Sequence, residues 1–317
     1  FTPAVPGHVE ISTTFSDNAA TGNPPTWSAR QVISDGLTYS QGAVPRFAGG
    51  GSNNAYISWM RAGANIHAAI VFAKSTNNGV SWGAPFDLSS EFIAMDEVLG
   101  NDRVSNFASL AVDVSAGPHS GTIYVVHPNN DAGDGADVMF RRSTNLGTLF
   151  SAPLTLNSRP GADRAQWFPE VTVDTDTGRV WVFYYDQGID ASGDRTETTT
   201  LYSDDGGATW SSPFPISSRP FHAGHGNDSS QPNLGDYNQA VAQSGGLTAA
   251  WAVTHPIGLT DGLPASRNFT VPDVEVTPVP EGPVFAPLSL GDPRFVETGG
   301  DGIIDSDDRV ELTLPLR

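Results

Sequence analysis

Ser203-Asp204-Asp205-Gly206-Gly207-Ala208-Thr209-Trp210 has the pattern Ser-x-Asp-x-Gly-x-Thr-Trp, and the pattern comes back along the chain. It recurs as Ser75, Asn77, Gly79, Ser81 and Trp82, and in a worn form as Ser143, Asn145, Gly147, Leu149 and Phe150. A stretched copy runs through Ser16, Asn18, Gly22, Thr26 and Trp27. Each copy has the chemistry of a hairpin turn. Asp or Asn folds its side chain onto backbone N–H groups, Gly supplies a positive φ, and a hydroxyl closes the loop. The aromatics Trp27, Trp82, Phe150 and Trp210 are 55, 68 and 60 residues apart, room each time for four short strands.

The flanking segments read as those strands. Residues 9–15 and 26–33 make half a blade around the stretched turn. Whole blades follow at 45–48, 55–60, 68–74 and 82–88, then 107–114, 121–126, 138–142 and 150–156, then 168–174, 179–185, 199–203 and 210–216. A fourth set lies at 238–243, 247–254, 271–278 and 284–290, without its turn motif. The last strands share a proline, as in Pro85, Pro153, Pro213 and Pro287, which assigns them to sheet edges because a residue without an N–H breaks an interior ladder. Val180-Trp181-Val182-Phe183 and Ile123-Tyr124-Val125-Val126 are apolar on both faces and suit burial between neighbouring blades. Asp102-Arg103, Phe107 and Val112-Asp113 return as Asp163-Arg164, Phe168 and Val173-Asp174 with the same spacing, so both Asp-Arg pairs belong to one rim. One short helix is expected at 90–99, capped by Ser89 or Ser90 and stopped by Gly100.

The chain of 317 residues has 34 Gly and 24 Pro, which favours many strands and turns over helices. Its 16 Lys+Arg against 35 Asp+Glu give a formal net charge of −19, which disfavours nucleic acid and anionic membrane as partners. With no Cys there is no disulfide, thiolate nucleophile or thiolate metal site. No stretch approaches the ~20 apolar residues of a membrane span. The opening Phe1-Thr2-Pro3 leads to the expectation that a segment was removed upstream, in keeping with a secreted or cell-surface protein.

The repeated turn resembles the Asp box of sialidase-like β-propellers, and the resemblance covers roughly residues 8–290. Leu234-Gly235-Asp236-Tyr237 followed by Trp251 is similar to segments of secreted bacterial propellers that carry the box. The resemblance implies an all-β, sialidase-like β-propeller of four-stranded antiparallel blades, about five or six in the complete protein. It assigns residues 1–290 to the propeller. Residues 291–317 resemble the opening of a β-sandwich module with a calcium loop. In the family the box marks the fold on the face away from the ligand.

On the opposite face, the resemblance implies a ligand rim with Asp102, Asp163, Asp186, Arg195 and Asp236. A sialidase needs an Arg clamp, a Tyr nucleophile activated by Glu, and an acid. Arg46, Arg103 and Arg164 are candidates for the clamp, Tyr237 or Tyr185 for the nucleophile, and Glu170 for its partner. The family's Arg-Ile-Pro motif is absent, the nearest segment being Val44-Pro45-Arg46-Phe47, and each Asp-Arg pair sets a carboxylate beside its Arg. Three readings stand. The first is a secreted or surface propeller that binds glycan or protein and is non-catalytic or degenerate. The second is an exo-sialidase-like hydrolase of acidic sugars, and the third an assembly subunit completed by strand exchange. Asp301, Asp305, Asp307 and Asp308 are the metal candidates: Gly302, Ile304 and Asp308 fit an EF-type loop, Glu297 and Gly299 depart from it, and hard oxygen ligands select Ca²⁺. His222 and His225 are read as part of a polar loop rather than a zinc site.

Overall fold

Short apolar runs separated by Gly- and Asx-rich turns yield a chain of strands. The computed structural model describes residues 9–34, 39–63, 67–94, 98, 104–130, 135–157, 164–189, 195–223, 234–254, 273–280, 294–297 and 310–313, and no helix occurs among them. Strands β1 (Ser12–Thr13) and β2 (Gln31–Val32) pair as a small antiparallel sheet. Blade I is β3 (Ser40–Phe47), β4 (Ala55–Ala62), β5 (His67–Ser75) and β6 (Phe86–Asp87), with β7 (Phe92–Ile93) added to β5. Blade II is β8 (Ser109–Val112), β9 (Ile123–Asn129), β10 (Gly135–Ser143) and β11 (Leu154–Thr155). Blade III is β12 (Arg164–Val173), β13 (Val180–Asp186), β14 (Glu197–Ser203) and β15 (Phe214–Pro215). A parallel contact of Gly135 and Ala136 with Arg164 and Ala165 joins blades II and III. Blade IV is β16 (Gln239–Gln243), β17 (Gly246–Val253) and β18 (Asp273–Val279). These antiparallel meanders stacked face to face are the blades of a β-propeller.

The chain divides into two units, Phe1–Glu281 and Gly282–Arg317. The described part of the second is one antiparallel hairpin, β19 (Arg294–Glu297) with β20 (Val310–Thr313). The expected strand at 284–290 and the acidic loop at 301–308 lie outside the described residues.

Edge and interior strands follow the sequence pattern. β6, β11 and β15 are outermost, each directly after its proline. β13 is buried along its whole length, and β9 up to Pro128. The helix expected at 90–99 is not formed at its start: Phe92 and Ile93 pair with Ala68 and His67. Phe92, 1% exposed, stacks on His127 at 5.1 Å, so burial of one aromatic outweighs the capping signal of Ser89, whose Oγ instead accepts Ile70 N–H.

Three of the turn copies close as expected, and the stretched one only in part, since Gly22 has no positive φ and its N–H goes to the Asn18 carbonyl. Ser203 Oγ donates to Asp205 Oδ1 at 2.8 Å and accepts Gly207 N–H at 2.8 Å, while Asp205 accepts Thr209 N–H at 2.8 Å. Hydrogen bonds from the Thr209 hydroxyl and backbone hold the Asp205 carboxyl well below the usual carboxylate range. Asn77 and Asn145 take the same part with Ser81 N–H and Leu149 N–H, and Asn18 with Thr26 N–H.

In blades II and III the aromatic closing the turn reaches the blade before it. Phe150 meets Phe72 of blade I edge-on at 5.0 Å, and Trp210 meets Phe140 of blade II at 4.9 Å. The turn glycines press on the same rings, since a Cβ on Gly147 would stand 2.9 Å from Phe72 and one on Gly207 2.5 Å from Phe140. The matching position in blade III, Thr200, is no aromatic, and blade IV has no such turn to receive. Trp27 was expected to anchor like the others but is 60% exposed, with no blade preceding its own among the described residues.

A second lock comes from the repeated Val-Asp. Asp174, fully buried, accepts Asp176 N–H and Thr177 N–H of its own turn and Gly245 N–H of blade IV at 2.5 Å. Burial works to raise its pKa, but these N–H groups outweigh it and hold the carboxyl below its ordinary value. Asp113 accepts Ser115 N–H at 2.8 Å in its own turn and lies near Gly178 of blade III, whose N–H goes instead to the Asp174 carbonyl. Between these locks the blades bury Tyr124, Phe140 and Val182, then Trp181, Phe183 and Trp251, in continuous apolar layers.

Candidate functional site

The innermost strands of the blades, and the segments leading into them, converge at one end of the stack. Phe107, two residues ahead of β8, lies against the backbone of Gly42 in β3, where a Cβ would come within 2.3 Å of the ring. Gly42 has φ +70° at a register shift in the β3–β4 pairing, so only glycine fits both the backbone and the ring. On the outer side of Phe107, Tyr237 from the segment leading into β16 stacks at 5.5 Å and 27°. Tyr237 is 69% exposed, which makes it an open aromatic platform. The same segment is held across the stack by Ser105 Oγ donating to Asp236 at 3.0 Å, and by Asn238 Nδ2 donating to the Phe168 carbonyl at 3.1 Å.

Phe168 has φ +49°, an unfavourable backbone for a bulky residue that costs about 1–3 kcal/mol. It lies in the irregularity between Trp167 and Glu170 where β12 slips against β13. Two residues on, Glu170 is partly open as a residue while its carboxyl is enclosed. Desolvation pushes it up to about 7, against the opposing pull of a hydrogen bond with Ser109 and of the Arg46 charge. Ser109 Oγ also accepts Val171 N–H at 3.1 Å. Arg46 in β3 donates to the Pro45 carbonyl at 2.9 Å. Arg46, Ser109 and Glu170 thus come from the first strands of blades I, II and III.

Of the residues singled out in the sequence, Arg46, Glu170, Asp236 and Tyr237 belong to this end. Arg164 opens β12, and Arg195 is exposed just before β14. Asp186, expected on the rim, is 2% exposed and accepts Gln166 Nε2 at 2.9 Å and Gly188 N–H at 2.7 Å. It orders the turn after β13. The Tyr185 hydroxyl is buried and donates to the Ala252 carbonyl at 2.7 Å, and desolvation raises its pKa, so it is a poor nucleophile. Arg61, another charge of this end, is committed to Asp87 at 2.7 Å. Asp102, Arg103, Asp163 and the acidic residues Asp301, Asp305, Asp307 and Asp308 lie outside the described residues. Among the described residues, no three His, Asp or Glu side chains are grouped to hold a metal. Ser105, Ser109 and Asn238 were not found from sequence. Phe107 and Phe168 were flagged only as members of the repeat.

The arrangement offers an aromatic plate with hydroxyl and amide groups beside it, and on β12 a carboxyl that is neutral or charged around pH 7 and feels the charge of Arg46. It can stack a ring and exchange hydrogen bonds with it.

No protein-family profile matches the chain, and no curated protein does. Among solved structures, a Hadza microbial sialidase is 15% identical with a TM-score of 0.42, covering 68% of this chain and 42% of its own. The Trypanosoma rangeli sialidase is 11% identical with a TM-score of 0.40, covering 77% and 39%. A Penicillium chrysogenum alpha-L-arabinanase complexed with arabinobiose is 15% identical with a TM-score of 0.38, covering 65% and 56%. The chain therefore spans about two fifths of the length of these sialidases.

Proposed function

We propose that this chain is a carbohydrate-binding, Asp-box β-propeller of the extracellular space that holds its ligand on the Tyr237–Phe107 platform without chemical turnover. The observation that carries this reading is the exposed Tyr237 ring, backed by Phe107 and Gly42 and flanked by Ser105, Asp236 and Asn238. A rigid exposed aromatic beside hydrogen-bonding groups suits the apolar face and hydroxyl edge of a sugar ring. In the same reading Ca²⁺ binds at Asp301, Asp305, Asp307 and Asp308 in a module appended after the propeller.

A second reading, a hydrolase of acidic sugars, is favoured by Glu170, whose buried carboxyl titrates at about 7. It would use Arg46, Arg103 and Arg164 as the clamp and Tyr237 as nucleophile. One experiment separates the two. Wild type, Tyr237→Ala and Glu170→Gln are tested on a glycan array and on an aryl sialoside. Glycan retention lost in Tyr237→Ala, with no aryl release by wild type, is the expected result. Aryl release that disappears in Glu170→Gln would replace binding by hydrolysis, and no retention by folded wild type would sink the carbohydrate reading.

A further inference from the structure

The Tyr237 platform and the Glu170 carboxyl are carried by the same three inner strands. Gly42 and Phe107 back the Tyr237 ring, and the Phe168 carbonyl holds its neighbour Asn238. Arg46, Ser109 and Glu170 follow Gly42, Phe107 and Phe168 by four, two and two residues. Counted from Phe107 and Phe168, Ser109 and Glu170 are one position of the repeat, and their side chains share a hydrogen bond between blades II and III. Platform and carboxyl are separated by breaks in the ladders. The β3–β4 pairing slips between Gln41 and Val44, and the β12–β13 pairing between Trp167 and Glu170. In the second break Phe168 has φ +49° and Pro169 has no N–H, and neither is paired with β13. This stretch is held by the Asn238 amide on the Phe168 carbonyl and by the Phe168 ring against Tyr185 at 6.0 Å. Asn238 Oδ1 is enclosed and has no partner among the described residues, so the amide grips from one side.

The two forms of the carboxyl make different demands on this stretch. Neutral, it is satisfied by Ser109; ionised, it needs more donors or water. Arg46 of β3 is the charged group that acts on it among the described residues, and β8 presents the Ser109 hydroxyl, which already accepts Val171 N–H. Opposite it in register β13 has the apolar Phe183, and β16 has no titratable side chain. His127 of β9 stacks on Phe92, Asp236 accepts Ser105, and Arg164 stands six residues back at the start of β12. Burial outweighs what Ser109 and Arg46 supply. Water reaches the charge most cheaply through the unpaired Phe168 and Pro169, and that movement takes the Phe168 carbonyl from Asn238. We propose that Glu170 is a positioning residue for the platform: its neutral form keeps the β12 bulge closed under Asn238, and its ionised form opens the bulge and unseats Tyr237. The inference rests on the reading of Tyr237 as the ligand platform, and it has the ligand held below neutral pH and released above it.

The test reads the platform without a ligand. The Tyr237 ring signal of protein labelled with ¹³C-tyrosine, assigned with Tyr237→Phe, is followed by NMR from about pH 5.5 to about pH 8.5, short of tyrosine's own titration. In wild type it should move with a midpoint of about 7. Glu170→Gln should hold it at the low-pH position throughout. Arg46→Gln should raise the midpoint, because the guanidinium charge works to lower it. Retention on the glycan array should fall about tenfold across the same range in wild type and stay level in Glu170→Gln. A Tyr237 signal that is flat in wild type, that moves alike in Glu170→Gln, or whose midpoint ignores Arg46→Gln overturns the proposal. Absence of glycan retention at every pH defeats the carbohydrate reading instead, and the Tyr237 signal still decides this one.

Discussion

Glu170 gives a stability prediction that does not depend on any ligand. In the folded chain its carboxyl titrates at about 7 against an ordinary 4.5, because burial outweighs Ser109 and Arg46. A folded-state value above the unfolded one means that the native chain binds the proton more tightly. Its contribution is fully present below 4.5 and is lost as pH rises through 7. The gap between 4.5 and about 7, at about 1.4 kcal/mol per pH unit, comes to about 3 kcal/mol withdrawn between pH 4 and pH 8. Glu170→Gln keeps the shape and the hydrogen-bonding partner but cannot ionise. The variant should match wild type at pH 4 and be more stable by about 2–3 kcal/mol at pH 8. Urea unfolding of both proteins at several pH values reads this directly, since the other acids cancel in the difference. Parallel curves, agreeing within about 0.5 kcal/mol from pH 4 to pH 8, would refute the claim that this carboxyl is desolvated.

Phe140→Ala removes the ring clamped by Gly207 and Trp210 and should cost about 3–5 kcal/mol in urea unfolding, whereas Thr200→Ala, at the matching position without a turn against it, should cost far less. Gly42→Ala forces a Cβ into Phe107 at a positive φ; it should lower stability by about 1–3 kcal/mol and weaken glycan retention, both measurable on one preparation. Asp174→Asn removes a carboxylate held low by three N–H groups. Wild type should be the more stable above the ordinary 3.8, with the difference fading as pH falls below it, and a constant difference in acid denaturation would contradict the assignment.

The blades were legible because their signals are local. A Ser-x-Asx turn with glycine, a proline before an edge strand and an unbroken apolar run each act within a few residues, and β4, β9, β13 and β17 lie where those signals put them. The partners of the turns were less legible. The sequence shows Trp210 closing its hairpin but not that Phe140 of the previous blade receives it. Trp27 looks like its equals and differs only in lacking a receiver. At the candidate site, Tyr237 and Glu170 stood out as residue types. Their neighbours Phe107, Ser105 and Ser109 are set by blade geometry across more than sixty residues, which no spacing rule reports. Asp186 illustrates the converse, a charged residue after a strand that reads as a ligand group and serves the backbone of its own turn. The expected helix is not formed at its start because capping residues compete poorly with a buried Phe92.

The locks between blades also order the folding of the chain. Gly147 on Phe72, Gly207 on Phe140 and Gly245 on Asp174 each close a later segment on the blade just completed, so each blade can be added to a finished neighbour. The strap from blade IV to blade II is different. Ser105 and Asp236 are 131 residues apart, and the loop they close contains the whole of blade III. The platform under Tyr237 therefore sets last, and a chain halted after blade III would carry folded blades and no site.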